Sequence, residues 1–429
     1  MQRQGPVQGP VGQNLNPNIS QQTGINMQTE GVFDLKNTQQ GNNRVIVFKD
    51  HRRQIVDIYP TNPSFPYTEN QVTTWKLKGQ GVDYFNWSAS ILMIKAQEPN
   101  NRDCFLPFSY AGLIYRLELL SGEFPVMDVT DYGKMVWLHI IGGLEGSCYD
   151  GFTAIRYNSG GALLRGWWGG IPLITLFDNC GYYPIYNQGE ELTLRITWAK
   201  NVECLTNPGN NVTYRIDDAK LVMDGLIATS GGNLDDAPFR WHTFNYLNIR
   251  TNLLPNVLLQ RFSFDVKKSS MKKAIFPCFT PWATTNLAQP YLATDSTLPN
   301  LDSYYVSMGG VWFPYQRPID SRPLWYLQLL QFFHLYDITG FTSPMWITYG
   351  SRFRSGIFGN PNRPYCDWIC VIFDKLFQMA SVMSGIDTER FDTQLITKFT
   401  ANPNGKVMIA MFVYDCVCTL AGGQLKIED

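Results

Sequence analysis

Three kinds of side chain in this 429-residue sequence could do chemistry, and their spacing decides whether they do. The chain has four histidines, His51, His139, His242 and His334. Imidazole is the usual general base and metal ligand near neutral pH. His139 and His334 fall at matching places in two apolar, helix-like segments, and duplicate positions point to duplicate packing rather than to one shared site. Cys366 and Cys370 with Cys416 and Cys418 supply, on paper, the four thiolates of a zinc centre. Zinc sites draw pairs of thiols from tight loops. Here Cys416 and Cys418 lie in an apolar run with strand character, where alternate residues share one face, so structural thiols are expected. Glu190-Glu191, Asp217-Asp218 and Asp235-Asp236 are carboxylate pairs, but adjacent residues of a strand point to opposite faces, and none forms an acid/base couple. No nucleophile elbow, phosphate loop, His-Glu-x-x-His or dinucleotide fingerprint is present. No catalytic, cofactor-binding or metal-ligating residue is therefore assigned, no cofactor is expected, and the chain does not read as an enzyme.

The composition points to association. Hydrophobic residues make up 44% and aromatics 14%, while charged residues are only 17%, below the roughly 25% usual in soluble domains. Such a chain is expected to bury part of its exterior against partners. A net charge of −1 gives no sign of strong direct nucleic-acid binding. The nine cysteines are an odd count scattered through apolar stretches, as expected of free, buried thiols in a protein made in a reducing compartment. The first residues lack an apolar core, so no signal peptide is expected.

Residues 1–43 are rich in Gln, Asn, Gly and Pro and cannot bury enough surface to offset ordering entropy, which predicts a flexible N-terminal arm. Its charges cancel, so it is not a genome-binding arm. Lys49, His51, Arg52 and Arg53 follow, as an exposed strand edge whose charge deters pairing. Short strand-like runs then recur, with Leu192–Trp198 showing the cleanest alternation. A turn-rich joint at 230–238 divides a first unit, 44–229, from a second, 239–429. Each unit carries a Phe-Pro pair, Phe124-Pro125 and Phe313-Pro314, spaced 189 positions apart (314 minus 125), and each pair is followed by a helix-like segment, Tyr132–Ile141 and Leu324–Tyr336. Many short strands and one helix per unit predict an all-β chain of two tandem antiparallel β-sandwiches.

This order resembles the double-jelly-roll major capsid proteins of the adenovirus and tectivirus lineage, above all those of small eukaryotic DNA viruses such as polinton-like viruses, adintoviruses and virophages. Four stretches carry the resemblance: Ser109–Gly122 with the helix at Tyr132, Leu163–Phe177 running into Leu192–Trp198 and Tyr214–Leu221, Tyr304–Pro314, and Ser384–Tyr414 with Gly422-Gly423-Gln424-Leu425. The resemblance implies two eight-stranded jelly rolls side by side. It also implies homotrimeric, pseudo-hexagonal capsomers of an icosahedral DNA virus shell, located in the virion, with neighbouring capsomers, penton and minor capsid proteins as partners. An internal membrane under the shell is compatible with it, and the neutral arm would meet protein or lipid headgroups there. Two other readings stand beside it. One is a single-jelly-roll shell or spike protein with a protruding β-domain, which would require units of unequal topology. The other is a β-sandwich carbohydrate-binding protein that stacks sugars on Trp167-Trp168, although adjacent Trp in a strand more often divide between core and interface.

Overall fold

The alternation at Leu192–Trp198 is realised in full: Leu192, Leu194, Ile196 and Trp198 are buried and the residues between them are half-buried. Trp198 also donates from its indole nitrogen to Thr73 Oγ1 at 2.7 Å, which ties this strand to its neighbour. The computed structural model describes residues 32–34, 45–47, 51–100, 102, 104–143, 162–206, 212–229, 238–280, 296, 298, 300–314, 316–333, 368–373 and 385–428. Of the expected arm, only Val32–Asp34 falls among these, paired antiparallel with Val45–Val47. The rest of the arm lies outside the described residues, as does the joint at 230–237.

The first unit contains His51–Ile58 (β1), Val72–Lys76 (β2), Tyr84–Gln97 (β3), Ile114–Ser121 (β4), Phe124–Thr130 (β5), Arg165–Pro172 (β6), Leu192–Trp198 (β7) and Arg215–Ala228 (β8). The second contains Phe239–Leu253 (β9), Leu259–Phe264 (β10), Met271–Phe276 (β11), Leu301–Met308 (β12), Val311–Phe313 (β13), Ile369–Ile372 (β14), Thr393–Phe399 (β15) and Lys406–Ala421 (β16). Gln424–Glu428 (β17) returns as a hairpin on β16. The first unit's two sheets run β6-β3-β8-β1 and β2-β7-β4-β5, and the second unit's run β14-β11-β16-β9 and β10-β15-β12-β13. Adding eight to every label of the first pair gives the second. One antiparallel jelly-roll topology is therefore written twice, and the chain is a double jelly roll.

The Phe-Pro pairs are not equivalent points. The matching turns are Gly122-Glu123, which joins Ser121 to Phe124, and Gly309-Gly310, which joins Met308 to Val311. Gly122, Gly309 and Gly310 all take positive φ there, as tight hairpins require. Phe124 thus matches Val311, a spacing of 187 (311 minus 124), two residues short of the expected repeat. Pro125 sits at a register shift in an edge strand, where a missing N–H is tolerated, whereas Pro314 follows the end of β13.

A helix follows the fifth strand of each unit: Tyr132–Gly143 (α1) and Arg322–Phe332 (α2). Tyr132, Met135, Val136, Trp137, Leu138 and Ile140 are all buried, as expected of a helix apolar all round. Gly133 permits the docking, because a Cβ there would lie 1.8 Å from the Ala111 carbonyl oxygen. In α2, Pro323 occupies the first turn and Leu329 is buried. Gln328 Oε1 accepts from the Ile372 N–H at 3.1 Å and ties α2 to β14.

Candidate functional site

The seam between the two units joins their cores through side chains of both. One face of the β14-β11-β16-β9 sheet closes the second unit's own core, through Ala274, Ile369, Val371, Met408, Ala410 and Phe412. Its other face, with Ile275, Ile409, Met411 and Val413, joins the buried cluster that fills the first unit. The long strand β16 is therefore buried on both faces over its first eleven residues.

The end of β5 and the start of α1 supply the polar part of this seam. Asn248 Nδ2 donates to the Thr130 carbonyl at 2.7 Å, and Thr130 Oγ1 donates to the Asn248 carbonyl at 3.4 Å. Asp131 is 2% exposed and accepts from Arg250 Nε at 3.0 Å, from Arg250 Nη2, and from Lys134 Nζ at 3.0 Å. Burial alone would raise the Asp131 carboxyl, but Lys134 and Arg250 outweigh it and hold the group below its ordinary range. Glu203 accepts from Arg250 Nη1 at 2.9 Å and completes the cluster. Burial opposes the Arg250 charge, and Glu203 and Asp131 more than compensate, raising its pKa. Aromatic contacts supply the rest. Trp241 Nε1 donates to the Leu176 carbonyl at 2.8 Å and its ring stacks near Phe177. Trp137 meets Phe108, Phe279 and Trp368 edge-on. Beside this seam the Asp178 carboxyl, half-buried within the loop that follows β6, is pushed up to about 7 by burial, although the Thr175 N–H opposes the shift.

The chemistry-bearing residues fall into packing roles. His139 Nδ1 contacts the Met135 carbonyl at 2.9 Å, and its ring packs on Tyr246 and Phe333, at the seam. His334 lies outside the described residues. His51 begins β1 with its ring edge-on to Tyr84. Cys416 and Cys418 are buried on one face of β16, and the hydrogen bond that the Cys418 thiol gives to Cys416, together with burial, pushes the Cys418 thiol well up. Cys370 is buried in β14 and Cys366 lies outside the described residues. Among the described residues no group of three His, Cys, Asp or Glu is placed to hold a metal. Glu190 accepts from Ser121 Oγ at the first hairpin, Glu191 pairs with Lys76, and Asp217 pairs with Arg215. Asp235-Asp236 lie outside the described residues.

One polar network was not anticipated. Asp415, fully buried in β16, accepts from Ser270 Oγ at 2.6 Å, bonds His242 Nε2 at 2.9 Å and lies 3.6 Å from Lys272. The available signal was a single acid inside a sixteen-residue strand that is apolar apart from Lys406 and Thr419.

Trp167-Trp168 depart from expectation, because neither enters the core: they are 56% and 36% exposed. A bulge between Arg165 and Trp168, with Gly166 at φ +75, turns both indoles outward. Beneath them, the Tyr110 hydroxyl donates to the Trp167 carbonyl at 2.9 Å, and its ring fills the space below Gly169. Trp168 lies on the outward face of the β6-β3-β8-β1 sheet, with Lys220 Nζ 5.8 Å from its ring centre. That face also carries Ile55, 66% exposed, and two ion pairs of 2.6 Å each, Arg53–Asp224 and Lys220–Asp57. His51, Arg52 and Arg53 thus sit on the edge strand β1, as the sequence suggested, and Lys49 lies outside the described residues.

No family model matches the chain, and no curated protein matches it in sequence. Solved structures do match in fold. A chain of the PBCV-1 virus capsid is similar at a TM-score of 0.61 and 11% identity, covering 91% of this chain and 99% of that one. A chain of the Sputnik virophage is similar at a TM-score of 0.54 and 12% identity, covering 91% of each. The mavirus major capsid protein is similar at a TM-score of 0.50 and 10% identity, covering 99% of this chain and 97% of that one. The likeness spans both units, so the double jelly roll implied by the sequence resemblance is the fold of this chain.

Proposed function

We propose that this chain is the major capsid protein of an icosahedral DNA virus, a structural protein of the virion that acts by associating with copies of itself. The observation that carries the reading is one eight-strand topology written twice and fused along a buried seam. Structures of that double form include the mavirus major capsid protein and the PBCV-1 capsid. Two units of equal topology also speak against a single-jelly-roll shell protein with a protruding domain. The finer reading is a homotrimer in which six similar units form a pseudo-hexagonal capsomer, and capsomers join one another and the penton and minor proteins of the shell. Low charge and high aromatic content suit a protein that buries its flanks on assembly. The unit boundaries near 44, 230–238 and 239 belong to the same proposal, as does an arm of residues 1–43 that lies under the shell or reaches a neighbour.

The test is electron microscopy of the recombinant full-length protein. Six-lobed capsomers, or closed shells built of them, are expected. Uniform two-lobed monomers at every concentration would overturn the reading. Carbohydrate binding has one observation in its favour, the solvent-facing Trp167; glycan-array binding by a protein that never assembles would move that reading to the front.

A further inference from the structure

We infer that the polar network buried in the β14-β11-β16-β9 sheet is a modification site of the chain itself, where Lys272 and Asp415 condense into an amide that ties β11 to β16 covalently. The bond lies within one chain and does not depend on the capsomer reading above.

His242 comes from β9, Ser270 stands just before β11, Lys272 lies in β11 and Asp415 in β16. All are buried, Asp415 completely. β16 pairs with β9 along one edge and with β11 along the other, and the second pairing shifts register between Met271 and Lys273. Lys272 sits in that shift, which carries its side chain inward and leaves Nζ 3.6 Å from Asp415 Oδ2. Lys273 is directed elsewhere and donates to the Phe332 carbonyl at 2.6 Å.

Both carboxyl oxygens are held in place. Asp415 Oδ2 accepts from Ser270 Oγ at 2.6 Å, and the Gly385 N–H donates to that Oγ at 3.1 Å, which directs the hydroxyl proton toward the carboxyl. Gly385 comes so close because it has no Cβ, which would stand 2.5 Å from the Met271 carbonyl oxygen. Asp415 Oδ1 bonds His242 Nε2 at 2.9 Å, and a carboxylate there selects the tautomer with its proton on Nε2.

Keeping an ammonium and a carboxylate out of water is costly, and an amide removes both charges. One proton passes from Lys272 Nζ to the carboxyl, leaving a neutral amine as nucleophile beside a neutral acid. Nζ attacks Cγ, and the His242 N–H stabilises the charge that develops on Oδ1. A second proton leaves Nζ, the Cγ–Oδ2 bond breaks, and Oδ2 departs as water. Ammonium plus carboxylate gives amide plus water, so no other reactant enters, and fixed positioning takes the place of a collision. The ion cluster at the seam is a useful contrast. Lys134 Nζ is nearer its acid, 3.0 Å from Asp131, but Asp131 also accepts from Arg250, whose guanidinium keeps its proton and holds the carboxylate ionised and unreactive. Among the described residues Asp415 has no arginine partner, and its donors Ser270 and His242 are groups that stand neutral.

The test is mass spectrometry of the denatured full-length protein, intact and after trypsin. The expected result is a chain lighter than its sequence by one water, with a branched peptide that joins the segment around Lys272 to the segment around Asp415. Lys272→Met is expected to restore the full mass and to abolish the branched peptide. A wild-type chain of full sequence mass, whose Lys272 and Asp415 peptides are recovered unbranched, overturns the proposal whether or not the variant folds. A loss of water placed elsewhere, as at an aspartyl succinimide, overturns it too. Either failure leaves the capsomer reading standing, since assembly is what tests that reading.

Discussion

The two sheets of matching topology differ in what lies on their outward faces. On β14-β11-β16-β9 the outward face is closed by the first unit, and the sequence there is apolar on both sides of the strand, as Lys406–Ala421 shows. On β6-β3-β8-β1 the outward face is partly exposed in the single chain, and burial still alternates there, as in β3 from Ser90 to Gln97. The difference teaches that burial of a second face, rather than membership of a jelly roll, decides whether a strand loses its period of two. It also separates contacts that hold one chain together from contacts left for other chains.

Substitutions at the closed face should therefore cost stability, and those at the open face should not. Trp137→Ala has the largest expected effect, because the indole is buried between Phe108, Phe279 and Trp368; a loss of about 3–5 kcal/mol is expected from urea denaturation. A loss well under 1 kcal/mol would mean that the units are not packed through α1. Arg250→Ala comes next. It leaves Asp131 with Lys134 alone and Glu203 without its bidentate partner, so about 2–3 kcal/mol should be lost. Unchanged stability in that variant would place the ion cluster outside the seam.

Asp178 sharpens the comparison through pH. Its folded pKa of about 7 lies above the ordinary aspartate value of 3.8, so the folded chain binds a proton that the unfolded chain has released between those values. Stability should accordingly fall as pH rises from about 4 through 7, by on the order of 1 kcal/mol per unit. Asp178→Asn should flatten that slope in urea midpoints measured at pH 5, 6 and 7.5. A slope that persists in the variant would assign it to other groups. The smallest effect on stability is expected of Ile55→Asp, within about 0.5 kcal/mol, as for exposed sites in general.

How much could be read from the sequence follows the same division. Leu192–Trp198 was legible because one face is core and the other is not. The helix at Tyr132 was legible because it is apolar all round and begins just after a strand. Met271–Phe276 went unread. Its two lysines, Lys272 and Lys273, hide a strand buried almost throughout, and partners distant in sequence help to accommodate them: Asp415 at 3.6 Å and the Phe332 carbonyl at 2.6 Å. The Phe-Pro repeat misled by two residues because the glycine turns, not the prolines, set the hairpin register. The outward turn of Trp167-Trp168 depends on a bulge and on the Tyr110 ring, neither visible in a period-two pattern. The seam itself was foreshadowed only as an aromatic excess; the pairing of Asp131 with Arg250, 119 positions apart, has no local signature.

The most direct measurement is the solution mass of the full-length protein by light scattering after gel filtration. The capsomer reading predicts 147 kDa (three times 48.9), or much larger particles. A single species of 48.9 kDa, unchanged on concentration, would contradict the account.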